Sequence, residues 1–427
     1  MTIWFVVSCI FLLLIFWLIP KTKFLKCSDL SIAEIRFFLS LKVVTGFALA
    51  YYFDHSSGQN DYKLYNDNSV EQYEVLLSNP KLFFTDFTND LNFYGLGGLF
   101  QAEDSFWAYL RFNLLYKFMA LLNLVTHGDF YFNSAIFSSL VFFGHVAFYR
   151  IFRQLYIGNR LPIMIACFCL PSLLVYTACI HKDGVVFLSL GIISYCFFKL
   201  VTSGEKIRFK YILGILGGCL AIFLFRNYVF VALVPALIIA ILCKQFSKYK
   251  LSVSIISYAI FAVLFFAIPF VIPPLNLPAA VVQRKADFAL LQGGATNIQM
   301  SELHPDVLSF LRNAPEALNH ALVRPYLWEF PQPAVILTAI ELIAYYILLF
   351  LFLAFRRKNE GSLHVFNIFG LALFFSMMLI IGYTIPNIGA IVRYRSIFWI
   401  LALAPLAGNT DWSRILSLFY RRPGSSN

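Results

Sequence analysis

The chain has 427 residues, 60% hydrophobic and 18% aromatic, with only 13% charged and a formal net charge of +11. Soluble domains carry about 25% charged residues, so a surface this poor in charge cannot face water throughout. A mean hydropathy of +0.75 leaves a polytopic membrane protein and excludes disorder, coiled coil, collagen and a secreted disulfide scaffold.

Met1 to Phe5 contains no basic residue, so a cleaved signal peptide is not expected, and Ile3 to Ile19 reads as a retained span. Apolar runs then predict spans at 32–52, 133–149, 161–180, 185–200, 211–225, 228–243, 251–272, 334–355, 363–384 and 396–409. Segment 106–125 is apolar too but carries Arg111, Asn113, Lys117 and Asn123, a pattern that suits an interfacial helix. The expectation is an all-α polytopic protein in a single integral membrane domain, with eleven transmembrane helices and one helix on the surface. No internal repeat is visible in the chain.

Basic residues set the orientation. Lys21, Lys23 and Lys26 follow the first span; Arg150, Arg153 and Arg160 the third; Lys206, Arg208 and Lys210 the fifth. Lys244, Lys248 and Lys250 follow the seventh, Arg356, Arg357 and Lys358 the ninth, and Arg414, Arg421 and Arg422 the last. These clusters fall on one side if 106–125 does not cross, which places the N-terminus outside and the C-terminus inside. The first outer loop, 53–105, then holds nine acids (Asp54, Asp61, Asp67, Glu71, Glu74, Asp86, Asp90, Glu103, Asp104) against Lys63 and Lys81. The second long outer loop is 273–333. Loops of this length in a compact protein are usually functional.

Three polar tips face the same side: His181-Lys182-Asp183-Gly184, Arg226-Asn227, and Pro386 to Arg395. The spans around Arg226 are about 22–24 Å long at 1.5 Å per residue, short of a hydrocarbon core of about 30 Å. Arg226 is therefore expected below the surface, where a charge is tolerated if it lines a wet cavity. Lys182, Arg226, Arg393 and Arg395 are cations on the side that disfavours them. An anionic ligand accounts for them, since Arg grips phosphate with a planar fork and Lys as a point charge. The plainer explanation is local pairing, Lys182 with Asp183 or Arg324 with Glu329. Asp54 and Asp61 follow a span closely enough to place a general base near the membrane plane, and Tyr62 and Tyr65 can pack Asp61 down. Asp86 and Asp90, at i and i+4, form a weak candidate for a divalent ion.

In the second loop, Gln292-Gly293-Gly294-Ala295 is a turn without the lysine of a P-loop. Leu303 to Phe310 and Pro315 to Leu322 read as two short amphipathic helices able to lie on the membrane. Tyr326 and Trp328 suit the interfacial aromatic belt. The eight cysteines sit in or beside apolar segments and read as inert buried thiols. There is no Gly-x-Ser-x-Gly elbow, no His-Glu-x-x-His and no dinucleotide fingerprint. His127, His145, His304, His320 and His364 lack ligand spacing. The basic clusters read as topology signals and contacts with anionic lipids, not as a nucleic-acid surface.

With its long acidic first outer loop, the helix after it and the long outer loop before the last spans, the chain resembles the GT-C superfamily of polytopic glycosyltransferases. The stretches that carry the likeness are Asp61-Tyr62 with Tyr65, His181-Lys182-Asp183-Gly184, Arg324-Pro325 through Glu329, and Asn387-Ile388-Gly389 through Arg393-Tyr394-Arg395. They resemble poorly characterised bacterial members. Better-known branches carry paired acids early in the first loop; here Asp61 is followed by Tyr62, and the pair Glu103-Asp104 lies at the loop's far end. The resemblance implies inverting transfer of a sugar from a polyprenyl-phosphate carrier to a glycan, lipid or protein acceptor, at the outer face of a bacterial plasma membrane. Asp61 or Asp54 would be the general base, and Lys182, Arg226, Arg393 and Arg395 would hold the lipid phosphate. Tyr62, Tyr65, His181, Asp183, Arg324 and Glu329 would complete the site, with no cofactor required and metal dependence open. A transporter or flippase of an anionic glycan, or a surface-polysaccharide polymerase or ligase, would use the same charges.

Overall fold

The computed structural model describes residues 3–56, 60–87, 106–202, 209–290, 295–357 and 364–419. Asp90, Glu103, Asp104, Gln292, Gly293, Gly294, Lys206, Arg208, Lys358, Arg421 and Arg422 lie outside the described residues. The fold is all-helical, with two isolated bridges and no strand among the described residues. The helices are α1 Ile3–Leu18, α2 Lys23–Lys26, α3 Ile32–His55, α4 Asp61–Ser78, α5 Pro80–Thr85, α6 Phe106–Thr126, α7 Phe130–Leu155, α8 Arg160–Phe168, α9 Pro171–Tyr176 and α10 Lys182–Thr202. Then come α11 Phe209–Phe225, α12 Asn227–Gln245, α13 Lys250–Val271, α14 Leu277–Leu290, α15 Val307–Leu318, α16 Pro333–Ala354, α17 Val365–Thr384, α18 Ile388–Asn409 and α19 Trp412–Phe419.

Among the described residues, eight segments are long and apolar enough to cross a membrane: Ile3–Lys21, Phe130–Leu155, Lys182–Thr202, Asn227–Gln245, Ser247–Val271, Pro333–Ala354, Val365–Thr384 and Ile388–Asn409. They mark a multi-pass membrane protein. The apolar Phe209–Phe225 is shorter. Of the eleven expected spans, 32–52, 161–180 and 211–225 are not among the eight. Residues 161–180 are not one helix. Cys169 N–H closes on Ile165 O and ends α8. Pro171 then starts α9, because proline lacks the N–H a continuing helix needs and disfavours helix in the residue before it.

Two expected loops contain helices. Within 53–105, α4 is predominantly polar yet buries Tyr62, Tyr65, Asn66, Ser69 and Tyr73, one stripe of a helix. Asp86 caps the end of α5, and Asp90, its expected partner for a divalent ion, lies outside the described residues. Within 273–333, α14 and α15 form. The two short helices expected at 303–322 are one helix, capped by Asp306 and running through Pro315 into a π-helical turn, Asn319–Val323. In α6 Asn113, Lys117 and Asn123 are buried against the protein while Phe118, Leu121 and Leu124 are exposed.

The chain divides into two compact units. Unit 1 comprises Met1–Arg150 and Pro171–Val231. In it α10 packs on α11, α4 on α6, and α3 on α4 and α9. A Cβ on Gly191 of α10 would stand 2.9 Å from the Cα of Gly144 on α7, so these two helices meet backbone to backbone. A fully buried amide cluster ties α4, α6 and α7: Asn133 donates to Asn66 Oδ1 at 2.8 Å and to Asn123 Oδ1 at 2.7 Å, and Thr126 donates to Asn133 Oδ1 at 2.6 Å. Buried amides cost little only when satisfied in this way.

Unit 2 comprises Ile151–Leu170 and Ala232–Asn427. Its centre is α18, packed by α8, α16 and α17. The rings of Tyr345, Trp399 and Phe374 interlock there, with centroids 4.9 and 5.1 Å apart. Asn159 closes one end by donating to the carbonyls of Gly408 at 2.7 Å and Thr410 at 2.9 Å. α13 lies at the periphery: only 6% of its apolar window is buried, against 83% for α7. A helix so uncovered and so apolar is suited to lipid.

Candidate functional site

The sequence-derived residues gather most closely in unit 1. Asn60 caps α4 by accepting the N–H of Lys63 at 2.9 Å, which makes Asp61 the first helical residue. Residues 177–181 are non-helical and lead into α10, so His181 precedes that helix and Lys182 and Asp183 occupy its first turn. The His181 ring lies between two tyrosines of α4, with centroids 5.0 Å from Tyr62 and 5.5 Å from Tyr65. Phe53 stacks on the outer side of Tyr62 at 4.3 Å. The His181 side chain is fully enclosed, while 52% of the Asp61 side chain is exposed.

Ion pairs run inward from that exposed carboxylate. Asp61 Oδ2 faces His181 Nε2 at 3.7 Å, and His181 Nδ1 stands 2.9 Å from Asp183 Oδ2. The other Asp183 oxygen pairs with Arg226 Nη2, and Arg226 Nη1 donates to the Tyr228 hydroxyl. Arg226 is the single residue between α11 and α12, and its side chain is 2% exposed. A buried arginine needs such a partner, because isolated charge is costly out of water. His181 Nδ1 faces both the Asp183 carboxylate and the Asp183 backbone N–H, which donates to it at 3.1 Å. One neighbour favours a proton on Nδ1 and the other disfavours it. Nε2, 3.7 Å from Asp61 Oδ2, makes no hydrogen bond among the described residues.

Lys182, half-buried, places its ammonium 5.4 Å from the centre of the Phe112 ring. Asp54 is engaged elsewhere: Oδ1 accepts from Lys63 at 2.8 Å and Oδ2 from the Tyr131 hydroxyl at 2.9 Å. Hydrogen bonds from Lys63, and then from Tyr131, hold the Asp54 carboxyl below its ordinary 3.8.

The remaining predicted residues belong to unit 2. α18 starts at Ile388, with Asn387 as its cap, so Arg393 and Arg395 stand within the helix and not on a tip. Arg395 is 1% exposed and donates through Nη1 to Ala321 O at 2.8 Å and Arg324 O, gripping the end of the π-helical turn. Arg393 Nη2 reaches the Tyr394 hydroxyl at 3.5 Å. Arg324 Nε pairs with Glu329 at 3.2 Å, the local pairing that the sequence offered as the plainer explanation. A small cleft of about 10 Å³ in this unit is lined by Lys285, Asn313, Glu316, His320 and Tyr383, among others. Sequence reasoning missed Tyr228, Lys63 and Tyr131 as partners, since no motif spacing announces such contacts. No cluster of three or more metal-ligating side chains occurs among the described residues.

No family model, no curated protein and no solved structure matches this chain.

Proposed function

We propose that unit 1 carries an acid–base centre that activates an acceptor hydroxyl for attack on a sugar held by a lipid phosphate. The observation that supports this reading is the half-exposed Asp61 carboxylate facing Nε2 of an enclosed histidine whose other ring nitrogen is held by Asp183. A base within reach of solvent and an orienter behind it is the arrangement proton abstraction requires. In this reading the acceptor oxygen bonds to the anomeric carbon and the bond from that carbon to the phosphate oxygen breaks. The hydroxyl proton passes to Asp61, with His181 able to share it, and the lipid phosphate leaves as the anion. Lys182, beside the His181–Asp183 pair, supplies the compensating charge. Arg226 serves here by holding Asp183, because its guanidinium is already paired. Asp61 is preferred to Asp54 as the base because it is the acid that faces the enclosed His181, while Asp54 is held by Lys63 and Tyr131. Arg393 and Arg395 belong to unit 2 and are assigned no role in this reading. The likeness to GT-C enzymes and the outer-face orientation belong to the same proposal.

The test is transfer from a labelled polyprenyl-phosphate sugar in membranes carrying the full chain. Asp61→Asn and His181→Gln should each lower the rate about 10²–10⁴-fold, the range of general-base catalysis, while Asp54→Asn should cost far less. Full activity in Asp61→Asn would end the proposal. A second reading is proton-coupled transport of an anionic glycan. The run from a half-exposed acid through histidine to a buried acid–arginine pair favours it, since proton relays in membranes are chains of this kind. Flux into proteoliposomes that needs Asp61 and yields no transfer product would select it.

A further inference from the structure

α3 carries a lysine midway along its length. Lys42 is 1% exposed, and its ammonium donates to Leu174 O at 3.2 Å and to the Thr177 hydroxyl. Thr177 in turn donates to Leu173 O. These carbonyls belong to the C-terminal end of α9, where a helix leaves its last C=O groups without intrahelical partners and carries partial negative charge. A buried ammonium is well placed there.

The same face of α3 continues one turn on with Gly46. A Cβ at that position would stand 2.6 Å from Ser138 Oγ and 2.7 Å from Ala178 O, so only glycine lets α3 lie against the backbone of residue 178. From the other side, α7 holds the same segment: Ser138 donates to Ala178 O, and Ser134 Oγ lies 3.3 Å from Cys179 Sγ. Residues 177–181 thus run through the buried interior outside any helix, with Ala178 N–H on Val175 O, Ala178 O on the Ser138 hydroxyl, and His181 O accepting from Gly184 N–H. Non-helical backbone at such a depth is tolerated only when satisfied in this way. The segment ends at His181.

We propose that Lys42 is a positioning residue for the acid–base centre: through Leu174 and Thr177 it sets where His181 stands between Asp61 and Asp183. This rests on the reading of that centre as functional, but its test does not require transfer activity. In the full chain in detergent, the rate at which diethylpyrocarbonate modifies His181 is read by peptide mass spectrometry. Circular dichroism and thermal unfolding check that each variant is folded. Lys42→Met should raise the rate at least about tenfold by releasing the segment, the size expected of a local opening made easier by one lost clamp. Lys42→Arg, which keeps the charge and the donors, should restore most of the protection. Thr177→Val removes one partner of the ammonium at similar volume and should give an intermediate rate if Lys42→Met fails to fold. Where transfer is measurable, Lys42→Met should shift its pH profile, and Lys42→Arg should bring it back. A folded Lys42→Met or Thr177→Val protein with wild-type protection of His181 would overturn the proposal. A strong response of His181 in a protein that transfers no sugar would leave the positioning role standing and count against the glycosyl-transfer reading alone.

Discussion

Arg226 in unit 1 and Arg395 in unit 2 are both enclosed by protein, at 3% and 1% exposure, but their charges are met by different chemistry. Arg226 faces the carboxylate of Asp183, which faces a histidine, which faces a half-exposed acid. Arg395 faces the backbone carbonyls of Ala321 and Arg324. A carbonyl cannot change its protonation at ordinary pH, so the bonds of Arg395 act as a pin on the π-helical turn. Carboxylates and an imidazole surround Arg226, groups of the kind that the proposed proton transfer would use. Lys42 and Lys117 follow the Arg395 pattern, the first on the end of α9 and the second on Phe83 O in the last turn of α5 and Asp86 O just past it. Among the described residues, Lys42, Lys117 and Arg395 therefore tie off helix ends, while Arg226 holds a carboxylate that faces a histidine. Only the second arrangement has an obvious chemical use.

The contrast predicts unequal costs. Arg226→Met strands the Asp183 carboxylate and should destabilise the protein by about 3–5 kcal/mol, the cost of breaking a buried pair from one side. Arg226→Met combined with Asp183→Leu should recover most of that in denaturant or thermal unfolding in detergent. Arg395→Met removes charge-assisted bonds from carbonyls and should cost less, about 2–3 kcal/mol by the same measurement. Equal losses for the two single substitutions would erase the distinction.

The smallest effect is on pH dependence. Burial, and after it the Arg324 guanidinium, hold His320 of unit 2 below its ordinary 6.5. Between that folded value and 6.5 the unfolded chain binds more protons, so stability falls as pH drops through this window. Asp54 of unit 1 is held below 3.8. Its contribution is intact above 3.8 and is lost as pH falls from there through the folded value. Unfolding midpoints followed against pH should show an upper step removed by His320→Gln and a lower one removed by Asp54→Asn. If neither substitution moves its step, these groups are not what couples stability to pH.

Much of the fold was legible because membrane helices are local objects. An apolar run of spanning length shows in the chain itself, and α1, α7, α10, α12, α13, α16, α17 and α18 all have one. The polar loops were harder. The stripe of Tyr62, Tyr65, Ser69 and Tyr73 was readable in 53–105, but a high count of acids and amides hid it. α18 begins eight residues before its apolar core, and there Arg393 and Arg395 look like a tip until the Asn387 cap is seen. Of the site, Asp61, His181 and Asp183 were recognisable as polar residues flanking apolar runs. The pairing of Arg324 with Glu329 was readable because its partners are only five positions apart.

By itself the sequence determined the class of the molecule: too few charges for water, enough apolar helix to cross a membrane several times, and a short list of ionisable groups with no soluble surface to occupy. Tertiary structure alone decided which of those groups meet. Asp183 finds Arg226 across forty-three positions of chain (226 less 183) and Asp61 comes to His181 from a different helix. Arg395 turns to the carbonyl end of a π-helical turn rather than to a ligand. The physical reason is desolvation. A charge that folding removes from water takes the nearest partner the packing brings to it, and packing is set by the shapes of whole helices rather than by the spacing of charges along the chain.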